Sequence, residues 1–103
     1  MNMRTYRNSN RRKRISGIYS ITNTITGRAY IGKSVNIPDR WWSHLSSEHN
    51  KELKDDFNAY GIGSFTFRIV ALAPKSQLDK LEREYISEYA SRGPLYNIKL
   101  IDN

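Results

Sequence analysis

The chain contains no cysteine, only three prolines and no long apolar run. Without cysteine it can form neither disulfides nor thiolate metal sites, so a metal ion must be held by oxygen or imidazole. This absence is compatible with an intracellular protein in a reducing cytosol. No stretch approaches the roughly 20 apolar residues that a membrane-spanning helix needs. The N-terminus is basic but no apolar segment follows it, so we expect no secretory signal.

Acidic residues are missing from the first 14 positions, although the whole chain carries ten. This segment accounts for +6 of the formal charge of +7 through Arg4, Arg7, Arg11, Arg12, Lys13 and Arg14. Because such a segment cannot build a core, we interpret residues 1–15 as a flexible arm that binds nucleic-acid phosphates. The alternative is a solubilising leader or part of an upstream linker. Residues 16–103 suffice for one folded domain.

Hydrophobic periodicity in the rest of the chain predicts three strands and three helices. Two strands are joined by a turn in which Gly27 suits a positive φ. Pro38 can begin the first helix, Gly61 can end the second, and Ser76 can cap the third. The predicted strands are 15–22, 28–33 and 64–71, the predicted helices are 39–46, 50–60 and 76–90, and an extended tail follows at 95–101.

The element order β-β-α-α-β-α predicts an α+β fold, with a three-stranded antiparallel sheet flanked by helices. A hairpin cannot be parallel, and the third strand must pair with it to hide its edge. Each helix also has an apolar stripe to bury against the sheet. Leu53 and Phe57 recur at helical spacing in the second helix, as do Leu78, Leu81 and Tyr85 in the third.

Two tripeptides stand out, Gly17-Ile18-Tyr19 and Tyr30-Ile31-Gly32, separated by ten residues. Each lies in one predicted strand of the hairpin. The hairpin would bring two tyrosine hydroxyls side by side on a small sheet, which suggests a functional site.

Charged side chains on two helices are further candidates. Arg40 and His44 are four residues apart and share one helix face, although an isolated pair of this kind is usually solvated. A guanidinium can donate two hydrogen bonds to a phosphate and keeps its charge at any working pH. On the third helix, we interpret Glu84 and Glu88 as solvated. Glu82 lies at the margin of the buried face, where it can point into a site.

Together these motifs resemble the GIY-YIG endonuclease family from about Ser16 to Ile98. In that family the two tripeptides are followed by an arginine and, four residues later, a histidine. Glu82 stands at the family's spacing before an aromatic and an aliphatic residue, and Tyr96-Asn97-Ile98 is similar to the closing element. The resemblance implies a homing-endonuclease-like catalytic domain whose site residues are Tyr19, Tyr30, Arg40, His44, Glu82 and Asn97.

The resemblance also implies a divalent-metal-dependent endonuclease that hydrolyses DNA phosphodiester bonds. Glu82 would hold Mg²⁺ or Mn²⁺, Tyr19 with help from His44 would accept the proton of the attacking water, and Tyr30 would orient water or phosphate. Arg40 would stabilise the charge of the transition state. Because the ordinary tyrosine pKa is ~10, we expect the metal and Arg40 to lower the pKa of Tyr19. Asn97 is expected to position other side chains by hydrogen bonds.

Other points stay open. Lys33 joins the arm as a predicted DNA contact, and His49 is either functional, as in some family members, or a surface-loop residue. The alternative function is a non-catalytic basic module that binds nucleic acid. Family members usually tether a separate DNA-binding domain, and none fits in 103 residues. The chain is therefore either a stand-alone nuclease or a domain of a longer protein, and its DNA specificity, dimerisation and number of strands cut stay undetermined.

Overall fold

A computed structural model describes residues 14–46 and 50–97 of the protein. Short three-ten turns at Ile62–Ser64 and Lys75–Gln77 precede the last strand and the last helix. Within the described ranges, no helix is both long and apolar enough to cross a membrane. The elements are β1 (Gly17–Asn23), β2 (Ala29–Ser34), α1 (Ile37–Ser46), α2 (Lys51–Tyr60), β3 (Phe65–Leu72) and α3 (Leu78–Ala90), which confirms the predicted order.

The hairpin between β1 and β2 closes through a turn that Asn23 organises. Its Oδ1 accepts hydrogen bonds from the backbone nitrogens of Ile25 at 2.9 Å and Thr26 at 3.3 Å. Gly27 then adopts a φ of +81° and donates its backbone N–H to the carbonyl of Asn23 at 2.7 Å. A side chain is strained at this φ, so the glycine predicted for the turn is required by its backbone conformation.

The sheet has the strand order β2-β1-β3, and both pairings are antiparallel. In the hairpin, Tyr19 lies opposite Gly32 and Tyr30 lies opposite Ile21. Because side chains alternate between faces along a strand, Tyr19, Ile21 and Tyr30 share one face. The register therefore places the two motif tyrosines next to each other.

Helices cover both faces of the sheet. On the face of Tyr19, helices α1 and α2 enclose a buried cluster formed by Tyr19, Ile21, Ile37, Leu53, Phe57, Phe65 and Tyr96. On the opposite face, α3 packs through Leu78 against Ile18 and Ile31. Burial of these two apolar clusters is the main force that holds the helices to the sheet.

The outer edge of β2 is covered by the segment that follows α3. Ala29 donates its N–H to the carbonyl of Pro94 at 3.1 Å, and its own carbonyl accepts from the N–H of Tyr96 at 2.7 Å. Further along β2, the side-chain amide of Asn97 pairs with the backbone of Ile31. Its Oδ1 accepts from the Ile31 nitrogen at 2.9 Å, and its Nδ2 donates to the Ile31 carbonyl at 2.7 Å. The Asn97 amide thus substitutes for strand backbone and covers an edge that would otherwise be open.

Two helix starts differ from the prediction. Helix α1 begins at Ile37 instead of Asp39, because Oδ1 of Asn36 accepts from the backbone nitrogen of Asp39 at 3.3 Å and caps the helix. The cap predicted at Ser76 is wrong, since this residue lies in the three-ten turn and α3 begins at Leu78 without a side-chain cap. The other boundaries agree within two residues, except that the tail beyond Asn97 lies outside the described residues.

Candidate active site

The tripeptides need glycine at positions 17 and 32 because other atoms of the protein leave no room there for a side chain. A Cβ built at Gly32 would lie 2.4 Å from Cζ and Oη of Tyr19, so the tyrosine ring extends directly over this residue. A Cβ at Gly17 would lie 2.0 Å from the carbonyl oxygen of Ala71 on the neighbouring strand. Neither space admits a methyl group. The tripeptides contain these glycines, but nothing in the sequence pattern indicated which side chain occupies the space above Gly32.

Replacing Gly32 by alanine is expected to destabilise the fold by about 1–3 kcal/mol, the usual cost of overpacking a core. The ring of Tyr19 is fully buried and cannot move aside without displacing its neighbours. The matched control is Gly63→Ala, because a Cβ at Gly63 meets no atom within 4 Å. Chemical denaturation of both variants measures the effect, and equal stability of the two would show that the Tyr19 ring is not fixed over β2.

The Tyr19 hydroxyl lies 2.8 Å from Nε2 of His44, and both residues are buried. The ring of Tyr30 lies against the same imidazole, with 4.9 Å between centroids, and is itself partly exposed. Trp41 packs edge-on against Tyr19 at 6.2 Å and against Phe67 at 5.6 Å, which fixes the rotation of α1 on the sheet. That rotation directs His44 inward.

Arg40 lies on the same side of α1. Its guanidinium interacts with the phenols of both Tyr19 and Tyr30 and lowers the pKa of each. The Nε atom of Arg40 is buried and has no hydrogen-bond partner among the described residues. Buried donors are nearly always paired, so this nitrogen is an exception among the described residues.

The expected effect of Arg40 on the pKa of Tyr19 is present, but it is smaller than the effect of burial on that pKa. Burial raises it well above the ordinary value, the neighbouring Tyr30 raises it further, and Arg40 opposes the shift only in part. Burial likewise raises the pKa of Tyr30. A phenol removed from water disfavours its charged form. Tyr19 is therefore protonated at neutral pH, and Nε2 of His44 is placed to accept its hydrogen bond.

Glu82 lies on α3, within electrostatic range of Tyr19, Tyr30 and Arg40. Its side chain is 25% exposed, and Oε1 lies 4.0 Å from Nζ of Lys33, which also forms an ion pair with Asp79. Burial raises the pKa of Glu82, while Lys33 and Arg40 lower it and Asp79 raises it. The negative charge of Glu82 in turn acts on the pKa values of Tyr19 and Tyr30, so all these groups share one electrostatic environment.

The carboxylate of Glu82 suits one hydrated divalent ion. In residues 14–46 and 50–97, no three His, Asp or Glu side chains form a cluster able to enclose a metal. Mg²⁺ often takes one or two carboxylates and keeps several waters, so a single carboxylate is a sufficient protein ligand. A nearby cation would also offset the penalty of keeping this half-buried group ionised. The donor set therefore fits Mg²⁺ or Mn²⁺.

The structure thus brings together Tyr19, Tyr30, Arg40, His44 and Glu82 of the predicted site. Asn97 lies beside them at the edge of β2, where it binds the backbone of the residue after Tyr30. Asp79 was not predicted, although its position three residues before Glu82 places both on one helix face. Of the predicted DNA contacts, Lys33 and Arg14 are exposed. His49, Arg4, Arg7, Arg11, Arg12 and Lys13 lie outside the described residues.

Comparison with known proteins identifies the class of domain. Residues 15–97 match the GIY-YIG catalytic domain, so the chain belongs to the GIY-YIG family. It is similar to the catalytic domain of the homing endonuclease I-TevI, with 29% sequence identity and a TM-score of 0.71 over 81% of this chain and 97% of that chain. The catalytic domain of intron endonuclease I-TevI with a glutamate-to-alanine substitution is 28% identical, with a TM-score of 0.72 over 82% and 93% of the two chains. These similarities confirm the predicted family and fold.

Proposed function

We propose that this domain is a divalent-metal-dependent endonuclease that hydrolyses DNA phosphodiester bonds. The observation that best supports the proposal is the buried hydrogen bond between Tyr19 and His44, next to the guanidinium of Arg40. A module that only binds nucleic acid would need neither this buried polar pair nor a half-buried carboxylate at Glu82. Family membership adds independent support.

The tyrosine and histidine side chains take up the proton of the attacking water. Tyr30, which is partly exposed, orients the water or the phosphate. The pKa of Tyr19 is raised, so a free phenolate is not available as a base at neutral pH. Tyr19 instead accepts the proton of the water while its own proton passes to Nε2 of His44, 2.8 Å away. The imidazole then carries the positive charge.

Two groups act on the phosphate. Arg40 donates hydrogen bonds to its oxygens as negative charge builds up. Glu82 would hold Mg²⁺ or Mn²⁺, with water as most of the other ligands. When bound, such an ion stabilises negative charge on the phosphate and on the leaving 3′ oxygen.

DNA binding outside this site is proposed for the basic arm and for Lys33. The arm contributes up to six cationic contacts with phosphates, from Arg4 to Arg14. Such contacts release counterions and make binding sensitive to salt. Since one site of this kind cuts one strand, a double-strand break requires either two successive cuts or two copies of the domain.

Incubation of supercoiled plasmid with the protein tests the proposal. We expect Mg²⁺ or Mn²⁺ to support conversion to nicked or linear plasmid, and EDTA to prevent it, because Glu82 offers a carboxylate within electrostatic range of the two tyrosines and Arg40. The ratio of nicked to linear product over time shows whether one or both strands are cut. Salt-sensitive binding of intact plasmid, with no cleavage in either metal, would contradict the proposal and favour the binding module.

A further inference from the structure

The side chain of Asn50 joins two parts of the protein that are far apart along the chain. Its Oδ1 accepts from the backbone nitrogen of Leu53 at 3.0 Å and caps the start of α2. Its Nδ2 donates to the backbone carbonyl of Tyr96 at 2.7 Å. A helix cap needs only the side-chain oxygen, so capping does not account for the second hydrogen bond.

The carbonyl of Tyr96 would have another partner in a regular sheet. Ala29 pairs in parallel with the segment that follows α3, and its carbonyl accepts from the backbone nitrogen of Tyr96 at 2.7 Å. In a regular parallel ladder, the next hydrogen bond would run from the nitrogen of Ile31 to the carbonyl of Tyr96. That nitrogen instead donates to Oδ1 of Asn97 at 2.9 Å. The Tyr96 carbonyl and the Asn97 side chain are therefore alternative acceptors for the same N–H group.

Tyr96 itself is anchored in the core, close to this choice of partners. The residue is fully buried, and its hydroxyl donates to Oδ2 of Asp56 at 2.6 Å. Without the donor on Asn50, its partly buried carbonyl would be left unpaired, which costs free energy. The carbonyl would then compete with the side chain of Asn97 for the nitrogen of Ile31.

The placement of Asn97 bears on the site because it holds β2 next to Tyr30. The Asn97 amide forms two hydrogen bonds with the backbone of Ile31, the residue that follows Tyr30. Between centroids, the ring of Tyr30 lies 4.9 Å from the imidazole of His44 and 6.2 Å from the ring of Tyr19. Displacement of the Asn97 amide would therefore shift the strand that carries Tyr30 relative to these two groups.

We infer that Asn50 is a positioning residue of the active site: it holds the carbonyl of Tyr96, so that the amide of Asn97 stays on β2. This inference rests on the proposed nuclease function and adds a residue that acts on the site only through Asn97. Because Asn50 also caps α2, one side chain links the start of that helix to the edge of the strand that carries Tyr30.

The test uses two variants that keep the helix cap but lose the amide donor, Asn50→Asp and Asn50→Ser. Aspartate and serine cap helices about as well as asparagine does, so we expect both variants to fold. Their single-turnover cleavage in Mg²⁺ at saturating DNA should be about tenfold slower or more, because a ~1 Å error in placing a catalytic group can cost ~10²-fold. Agreement between the two variants excludes an effect of the new charge on aspartate.

A second measurement follows Asn97 directly and needs no cleavage. The NMR signals of its side-chain NH₂ group can be assigned by their loss in Asn97→Ala. In the parent protein this group donates to the carbonyl of Ile31, so its hydrogens should exchange slowly with solvent. Both Asn50 variants should show faster exchange. The matched control is Asn58→Ser, which makes the same substitution at an exposed position of α2 and should change neither measurement.

Several results would overturn the inference. One is cleavage within about threefold of the parent rate by a folded Asn50 variant. Slower cleavage with unchanged exchange at Asn97 is another, because Asn50 would then act by a different route. Unfolding of both variants also overturns it, since Asn50 would then support the whole fold. If the parent protein fails to cleave, the proposed function is contradicted, whereas the exchange at Asn97 still decides whether Asn50 holds that side chain in place.

Discussion

Replacing Glu82 by glutamine is expected to remove metal-dependent cleavage, with a fall in the single-turnover rate of at least about 10²-fold. The substitution keeps the size and shape of the side chain but removes the charge that would hold the ion. Binding of DNA should persist, since the proposed phosphate contacts are on other residues. The measurement is nicking of plasmid by excess protein in Mg²⁺, together with DNA affinity in EDTA.

The melting temperature of the Glu82→Gln variant distinguishes loss of the metal ligand from a folding defect. Burial raises the pKa of Glu82, so the ionised group disfavours the folded state at pH values above that pKa. Glutamine removes this cost, and the melting temperature at neutral pH should therefore be unchanged or slightly higher. The control is Glu84→Gln, which changes an exposed carboxylate on the same helix. Full Mg²⁺-dependent cleavage by the Glu82 variant, or loss in the control alone, would show that Glu82 is not the metal ligand.

The sequence predicts the hairpin and its register better than it predicts the chemistry. Alternation of apolar residues and a turn glycine suffice to place Tyr19 and Tyr30 on one face, because strand side chains alternate with a fixed period. The protonation state of Tyr19 depends instead on how completely α1 and α2 cover it. That burial involves residues distant along the chain, such as Trp41 and Phe57, and no local pattern contains it.

Helix starts that depend on competing local hydrogen bonds were also harder to predict from the sequence than the hairpin. Ser76 and Asn36 are both good helix caps by type, yet only Asn36 caps a helix in the structure. The difference arises because a three-ten turn takes up residues 75–77 before α3 begins. The pairing of Asn97 with the backbone of Ile31 joins residues 66 positions apart, so it becomes visible only when the tail is placed beside β2.

The second large effect is expected at Arg40, where substitution by lysine should lower the single-turnover cleavage rate by about 10²-fold or more. Lysine keeps the positive charge but loses the planar arrangement of donors, including the buried Nε that has no partner among the described residues. An ammonium group is a point charge and cannot donate two parallel hydrogen bonds to one phosphate. The loss should therefore appear in the transition state more than in DNA affinity.

We expect the Arg40→Lys substitution to change the stability of the protein little. The unpaired Nε contributes no hydrogen bond to the folded protein, and lysine can still place its charge near the phenols of Tyr19 and Tyr30. The control is Arg68→Lys, the same exchange at an exposed position, which should alter neither rate nor melting temperature. If the Arg40 variant cleaves within about threefold of the parent rate and melts at the same temperature, the guanidinium does not act on the phosphate. The buried pair of Tyr19 and His44 would then need another source of positive charge at the scissile bond.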